Sequence, residues 1–356
     1  MQMTFRWYGE GNDSITLKQI RQIPGMKGVV WALHDIPVGE VWPLERIEEV
    51  VKQANAYDLH TQVVESVNIH EDIKLGLPSR DQYIQNYKET LKNLGKVGVK
   101  VVCYNFMPVF DWFRTDLFKE MEDGSTALYF DSEKVQALTP EQVVKNMEEN
   151  AKDFTLPGWE PERLRDLQSL FEQYRNIDEG NLLKNLIYFL EEVCPVAESC
   201  GIKLAIHPDD PPFSIFGLPR IVKNKEDIQR ILHAVDSPAN GITFCSGSLG
   251  ANLANDLVDI VQSFAHCIPF AHIRNVKHFE DGSFIESSHL VADGSLPITD
   301  IIKALYENGF DGYIRPDHGR HIWDEECRPG YGLYDRALGA MYIHGAWDAY
   351  VLKGKK

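Results

Sequence analysis

The sequence predicts an α/β fold, a (β/α)8 TIM barrel with a helical insertion after the fourth strand. Three observations carry this. Strand-like and helical patterns alternate along the chain. The strand-like segments are continuous apolar runs, as in parallel strands buried on both faces. Eight such runs can be counted, each followed by helix, which is the count of a closed barrel. An open doubly wound sheet usually has fewer strands and often a glycine-rich phosphate turn, and neither GxGxxG nor GxxxxGK[ST] occurs. The 356 residues are read as one barrel domain, 1–356.

Thr4–Tyr8 is the first expected strand, and Asp13 and Ser14 offer a cap for a helix to about Gln22. Gly28–Leu33 is the second, ending at His34. Pro43 opens the helix Leu44–Tyr57, where Leu44, Ile47, Val50, Val51 and Ala54 recur at helical spacing. His60–Glu65 is the third strand and Tyr83–Leu94 the helix after it. Val99–Tyr104 is the fourth, ending at Asn105. The rhythm then breaks over 109–177, with charged helical patterns around Thr139–Lys152 and Glu160–Tyr174. That span is too long for a plain loop and is read as an insertion placed to cover an active site as a lid, packed down by Phe110, Trp112 and Phe113. The helix Leu182–Cys200 leads to the fifth strand, Ile202–Ile206, ending at His207. Glu226–Ala234 is helical, and Gly241–Phe244 is the sixth strand, ending at Cys245. After the helix Leu253–Phe264 comes the seventh, Ile268–Ala271, ending at His272. The helix Pro297–Glu307 precedes the eighth, which starts at Tyr313–Ile314 and runs into Arg315-Pro316-Asp317-His318-Gly319. Tyr334–Leu352 is the last helix.

Bulk chemistry excludes several classes. The formal charge is −17, from 53 acids against 36 bases. A nucleic-acid binder needs a basic face, so no nucleic-acid partner is expected. An anionic substrate needs a local cationic pocket inside this acidic field. No apolar run reaches the ~20 residues of a bilayer span, and no membrane partner is expected. The N-terminus lacks a basic segment followed by an apolar one, and the six cysteines show no CxxC pair. A cytoplasmic enzyme with reduced thiols is expected.

Active sites of such barrels form at the C-terminal ends of the strands. His207, Cys245, His272 and His318 stand at or just beyond four of those ends. Imidazole and thiolate are good ligands for a divalent transition metal, and four make a tetrahedral set. A lone histidine or cysteine in such a place is otherwise a hydrogen-bonded or core residue. Asp317 and Tyr331 are the candidate proton-transfer groups; the plainer alternatives are a structural carboxylate and a packing aromatic. Arg6, Arg274, Arg315 and Lys277 are candidate carboxylate binders, because guanidinium pairs bidentately with carboxylate. His34, Glu65 and Asn105 close other strands at equivalent positions.

At these residues the sequence resembles the mannonate dehydratases. The stretches that carry the likeness include FRWYG (5–9), CYNFMPVFDW (103–112), HPDDPP (207–212), FCSGSLG (244–250), HIRN (272–275), RPDHG (315–319) and PGY (329–331), which span the chain. The resemblance implies dehydration of D-mannonate to 2-dehydro-3-deoxy-D-gluconate in hexuronate breakdown, with Mn2+ or Fe2+; the thiolate leaves Zn2+ open as well. It implies that His207, Cys245, His272 and His318 hold the metal and that Asp317 and Tyr331 handle protons, in either order. Arg6, Tyr8, His34, Glu65, Asn105, Arg274, Asn275 and Arg315 are then the expected substrate contacts. The alternative is a metal-dependent sugar isomerase or epimerase on the same barrel. The expected partner is a small sugar acid, and a homo-oligomer, a dimer first, is the expected assembly.

Overall fold

The structure, a computed structural model, describes residues 1–137, 139, 142, 145 and 167–353. In chain order the first strands are β1 (Gln2–Arg6), β2 (Gly28–Trp31), β3 (His60–Glu65), β4 (Val101–Tyr104), β5 (Asp116–Glu120) and β6 (Thr126–Phe130). They are followed by β7 (Lys203–Ile206), β8 (Asn240–Cys245), β9 (Phe270–Ile273), β10 (Asn275–His278), β11 (Phe284–Ser287) and β12 (Tyr313–Pro316). Eight of them close a parallel barrel in the order β1-β12-β9-β8-β7-β4-β3-β2. These eight are the expected strands, several with ends moved by one or two residues. The seventh, expected over Ile268–Ala271, begins at Phe270, because Pro269 has no N–H to give to a ladder. His272 therefore lies within β9 rather than past its end. Thr16, not Asp13 or Ser14, caps the first helix through a reciprocal pair with Gln19. Asp13 instead accepts from the Tyr8 and Ile15 amides.

Period-two alternation divides each barrel strand between two environments. Val29, Val64, Val102, Leu204, Phe244, Ala271 and Ile314 point outward into one large core with the surrounding helices. Val30, Val63, Val101, Cys103, Ala205, Phe270 and Tyr313 point inward and plug the barrel. The next inward position on each of several strands is polar: Glu65, Asn105, His207, His272 and Arg315. These side chains form a layer above the apolar plug, at the C-terminal mouth.

The remaining strands form a separate antiparallel sheet in the order β10-β11-β6-β5. The insertion expected to be helical thus contributes two strands, paired through β6 with β11. Each of the sheet's two hairpins turns on the same tetrapeptide, Glu-Asp-Gly-Ser, at 122–125 and 280–283. In both, the aspartate accepts from the serine amide and the glycine takes a positive φ, 81° and 84°. A short helix, Ser132–Ala137, follows β6. Of the two helical patterns expected in the insertion, the first lies almost wholly outside the described residues. Only Leu167–Tyr174 of the second is described, and it is helical. Among the described residues no helix is long and apolar enough to cross a membrane.

Candidate active site at the mouth of the barrel

Register brings the first groups together. Cys245 on β8 is aligned with His272 on β9, and His272 with Arg315 on β12. Parallel neighbours at the same height present side chains to the same face. His207 follows β7 at the next inward position. The ligand atoms of His207, Cys245 and His272 lie within 4.8 Å of one another. The two imidazole rings are 5.1 Å apart, centre to centre. A second group at the same spacing, Glu65, Cys103 and His272, shares the last histidine.

Cys245 caps the short helix Ser246–Gly250, its sulfur accepting from the Ser248 amide at 3.4 Å and hydroxyl at 3.1 Å. That turn is possible because residue 247 is glycine: a Cβ there would stand 1.9 Å from Arg274 Nε.

Asp317 continues the inward alternation of Tyr313 and Arg315. Its Oδ2 lies 3.6 Å from Cys245 Sγ and 4.0 Å from His272 Nδ1, and its Oδ1 2.6 Å from Arg315 Nη1. Burial opposes charge on Asp317, but Arg315, His318, His272 and Arg274 hold its carboxyl well below the usual carboxylate range. Glu65 resembles it. Burial pushes that carboxyl up, yet Arg315 and His272 pull it well below its ordinary value. Arg315 donates to Glu65 at 3.0 Å.

Among the described residues His318 does not join the His–Cys–His group. Its Nε2 lies 2.5 Å from Arg274 Nη1, its Nδ1 3.3 Å from Glu286 Oε1, and its ring stacks 6.1 Å from Trp112. Arg274 is one corner of a buried ring of charges. With Arg114 it brackets two carboxylates: Arg114 reaches Asp210 at 2.7 Å and Glu286 at 2.9 Å, and Arg274 reaches them at 2.8 and 3.0 Å. The Ser248 hydroxyl lies 3.1 Å from both Asp210 Oδ2 and Cys245 Sγ, which joins this ring to the sulfur. Arg114, Asp210, Ser248 and Glu286 have no place among the expected site residues. Only Asp210 and Ser248 fall inside quoted motifs, because their partners are remote in sequence.

Tyr331 faces the same cavity, edge-on to Tyr8 at 5.1 Å and 5.5 Å from the His318 ring. Burial, Tyr8 and Asp317 push its phenol well above the usual value. Of the expected substrate contacts, Arg6, Tyr8, Glu65, Asn105 and Arg315 line the cavity, together with Asp111 and Trp112. His34 is solvent-exposed beside Arg6, its Nε2 3.3 Å from Arg6 Nη2. Asn275 is turned away: it accepts from the Leu296 amide and donates to the Leu290 carbonyl, tying down a loop. Lys277 is exposed on β10.

A closed barrel with metal-binding and proton-carrying side chains gathered at its C-terminal mouth defines a TIM-barrel enzyme with a candidate metal centre. Comparison with known proteins narrows the class. Residues 1–356 match the family model described as D-mannonate dehydratase (UxuA). The chain is 62% identical over 356 residues to the mannonate dehydratase of Shouchella clausii, covering 100% of this chain and 99% of that one. It is 62% identical over 349 residues to mannonate dehydratase 1 of Halalkalibacterium halodurans, covering 98% and 96%. The crystal structure of mannonate dehydratase from Streptococcus suis serotype 2 superposes with a TM-score of 0.91 at 42% identity, covering 100% of this chain and 96% of that one. The chain belongs to the D-mannonate dehydratase family, a family of hydro-lyases.

Proposed function

We propose that the chain removes water from D-mannonate to give 2-dehydro-3-deoxy-D-gluconate, with a divalent metal held by His207, Cys245 and His272 and faced by Asp317. The donors fit such an ion. They combine imidazole with thiolate, and the buried Nε2 of His272 makes no hydrogen bond among the described residues, Glu65 Oε2 lying 3.5 Å from it. Mn2+ and Fe2+ are the expected ions, and a thiolate donor also suits Zn2+. When bound, a divalent cation supplies positive charge to the sugar acid's carboxylate and adjoining hydroxyl as the C2 proton leaves.

The side chains divide the proton work. A C3 hydroxyl leaves only if an acid protonates it, and a base must take the C2 proton. Tyr331 keeps its proton, being pushed well above the usual phenol value, and is assigned the acid role. Asp317 is a poor base because two guanidinium groups stabilise its charge. His318 is the better one. Glu286 Oε1 lies 3.3 Å from its Nδ1 and would stabilise an imidazolium, while Arg274 donates to its Nε2, so the base role requires substrate entry to part that nitrogen from Arg274. This exchanges the roles that the sequence suggested for Asp317 and His318. The observation that carries the exchange is the approach of Asp317 Oδ2 to the Cys245 sulfur. Arg6 and Arg315 are the cations on the cavity wall that suit the substrate carboxylate.

The test begins with metal-free protein and D-mannonate. Mn2+, Fe2+ or Zn2+ is added singly and the 2-keto acid product followed. Product lighter than substrate by one water supports the reading, whereas product of unchanged mass sinks it in favour of an isomerase or epimerase.

A further inference from the structure

We infer that His321 is a positioning residue for Tyr331, fastening the loop that carries the phenol to the antiparallel sheet. The inference rests on the acid role given to Tyr331 above. Gly330, the residue before Tyr331, is held from both sides. Its N–H donates to His321 Nε2 at 2.7 Å and its carbonyl accepts from the Gly319 N–H at 2.9 Å. Its φ is +78°, and a Cβ there would stand 2.9 Å from His318 Cβ and 2.9 Å from Leu128 Cδ1. The backbone leading into the phenol is thus held by His321, Gly319 and the packing of β6, together with the Tyr331 N–H, which donates to the Arg328 carbonyl at 2.8 Å.

His321 is itself fixed to β6. Its N–H donates to the Thr126 carbonyl at 2.7 Å and its carbonyl accepts from the Thr126 N–H at 3.1 Å. Its Nδ1 lies 3.1 Å from Thr126 Oγ1. A peptide N–H is always a donor, so the Nε2 that meets Gly330 must be the bare nitrogen. Nδ1 then carries the proton and donates to the threonine hydroxyl. Both ring nitrogens are used in a line from Thr126 through His321 to Gly330 and Tyr331. The same sheet reaches the mouth a second time, where Glu286 of β11 meets His318 and Arg274. Insertion and barrel therefore share one wall of the site, and that wall aims the proposed acid.

The test uses the full chain with Mn2+ and D-mannonate, and compares His321→Ala, His321→Gln, Tyr331→Phe and the double variant His321→Ala/Tyr331→Phe. A glutamine oxygen can accept from the Gly330 amide as Nε2 does. We expect His321→Ala to lower kcat by about tenfold or more while KM and bound metal stay near wild type, and His321→Gln to recover most of the loss. In the Tyr331→Phe background His321→Ala should cost almost nothing further, since it acts through the phenol. Wild-type kcat in His321→Ala, or an undiminished further loss in the double variant, overturns the inference. Should His321→Ala not fold, Thr126→Val decides: a several-fold fall in kcat supports the inference and an unchanged kcat overturns it. Failure of the wild-type protein itself to dehydrate D-mannonate would instead refute the functional reading, before any variant is compared.

Discussion

Asp317 Oδ2 stands 3.6 Å from Cys245 Sγ, although β9 lies between β8 and β12 in the barrel. Both side chains lean over His272, on the strand between them. The approach gives the proposed metal group a carboxylate neighbour and leaves the adjacent His318 to Arg274 and Glu286.

Metal content separates the two roles. Asp317→Asn should weaken metal binding by about 10–100-fold, as loss of a ligand or of a close supporting group does. His318→Asn should keep the metal and lose turnover. Titration of metal-free protein with Mn2+ by calorimetry, beside kcat, checks both. Full metal content in Asp317→Asn together with loss in His318→Asn would restore the assignment suggested by the sequence.

Removing only the phenolic oxygen of Tyr331 leaves the ring's contacts with Tyr8 and His318 in place. Tyr331→Phe should therefore fold as wild type, retain metal, and lose about 10²–10⁴-fold in kcat, the usual contribution of general acid–base catalysis. Steady-state kinetics with D-mannonate is the measurement, and a loss below threefold would count against the acid role.

The buried charge ring should be intolerant of a missing cation. Arg114→Met leaves Asp210 and Glu286, both buried, to share the one remaining guanidinium of the ring, Arg274. Breaking a buried pair by deleting one partner costs about 3–5 kcal/mol. Denaturant unfolding would register that loss as a lower midpoint. A stability equal to wild type would show that the ring relaxes or admits water.

His289 gives a pH dependence. Burial pushes its imidazole below the ordinary value of 6.5, although Asp335 and the Ile273 carbonyl that its Nε2 meets favour the charged ring. Below about pH 6.5 the unfolded chain therefore takes up a proton that the folded ring resists, and stability falls as pH drops. Melting temperatures between pH 8 and pH 5 should decline less steeply in His289→Asn than in wild type. Equal slopes would assign the acid loss to other groups.

Much of this architecture was legible in the sequence because it depends on local periodicity. Eight apolar runs with helices between them identify the barrel. Alternation along each run places Glu65, Asn105, His207, Cys245 and His272 inward at the mouth. The same counting on the last strand, from Tyr313 through Arg315, reaches Asp317, which the structure places beside Cys245 and His272. The repeated Glu-Asp-Gly-Ser turns likewise marked two hairpins inside segments read as helix or loop.

By itself, then, the sequence determined the barrel, its inward residues and the family, all of which follow from spacing along the chain and from motifs within single strands and loops. Only the tertiary structure decided that β6 pairs with β11, that Arg114 and Arg274 share Asp210 and Glu286, and that His321 holds the turn before Tyr331. Those contacts join side chains far apart in the chain. A buried charge or bare ring nitrogen is satisfied by whatever partner packing brings within about 3 Å, and no periodicity records which partner that is.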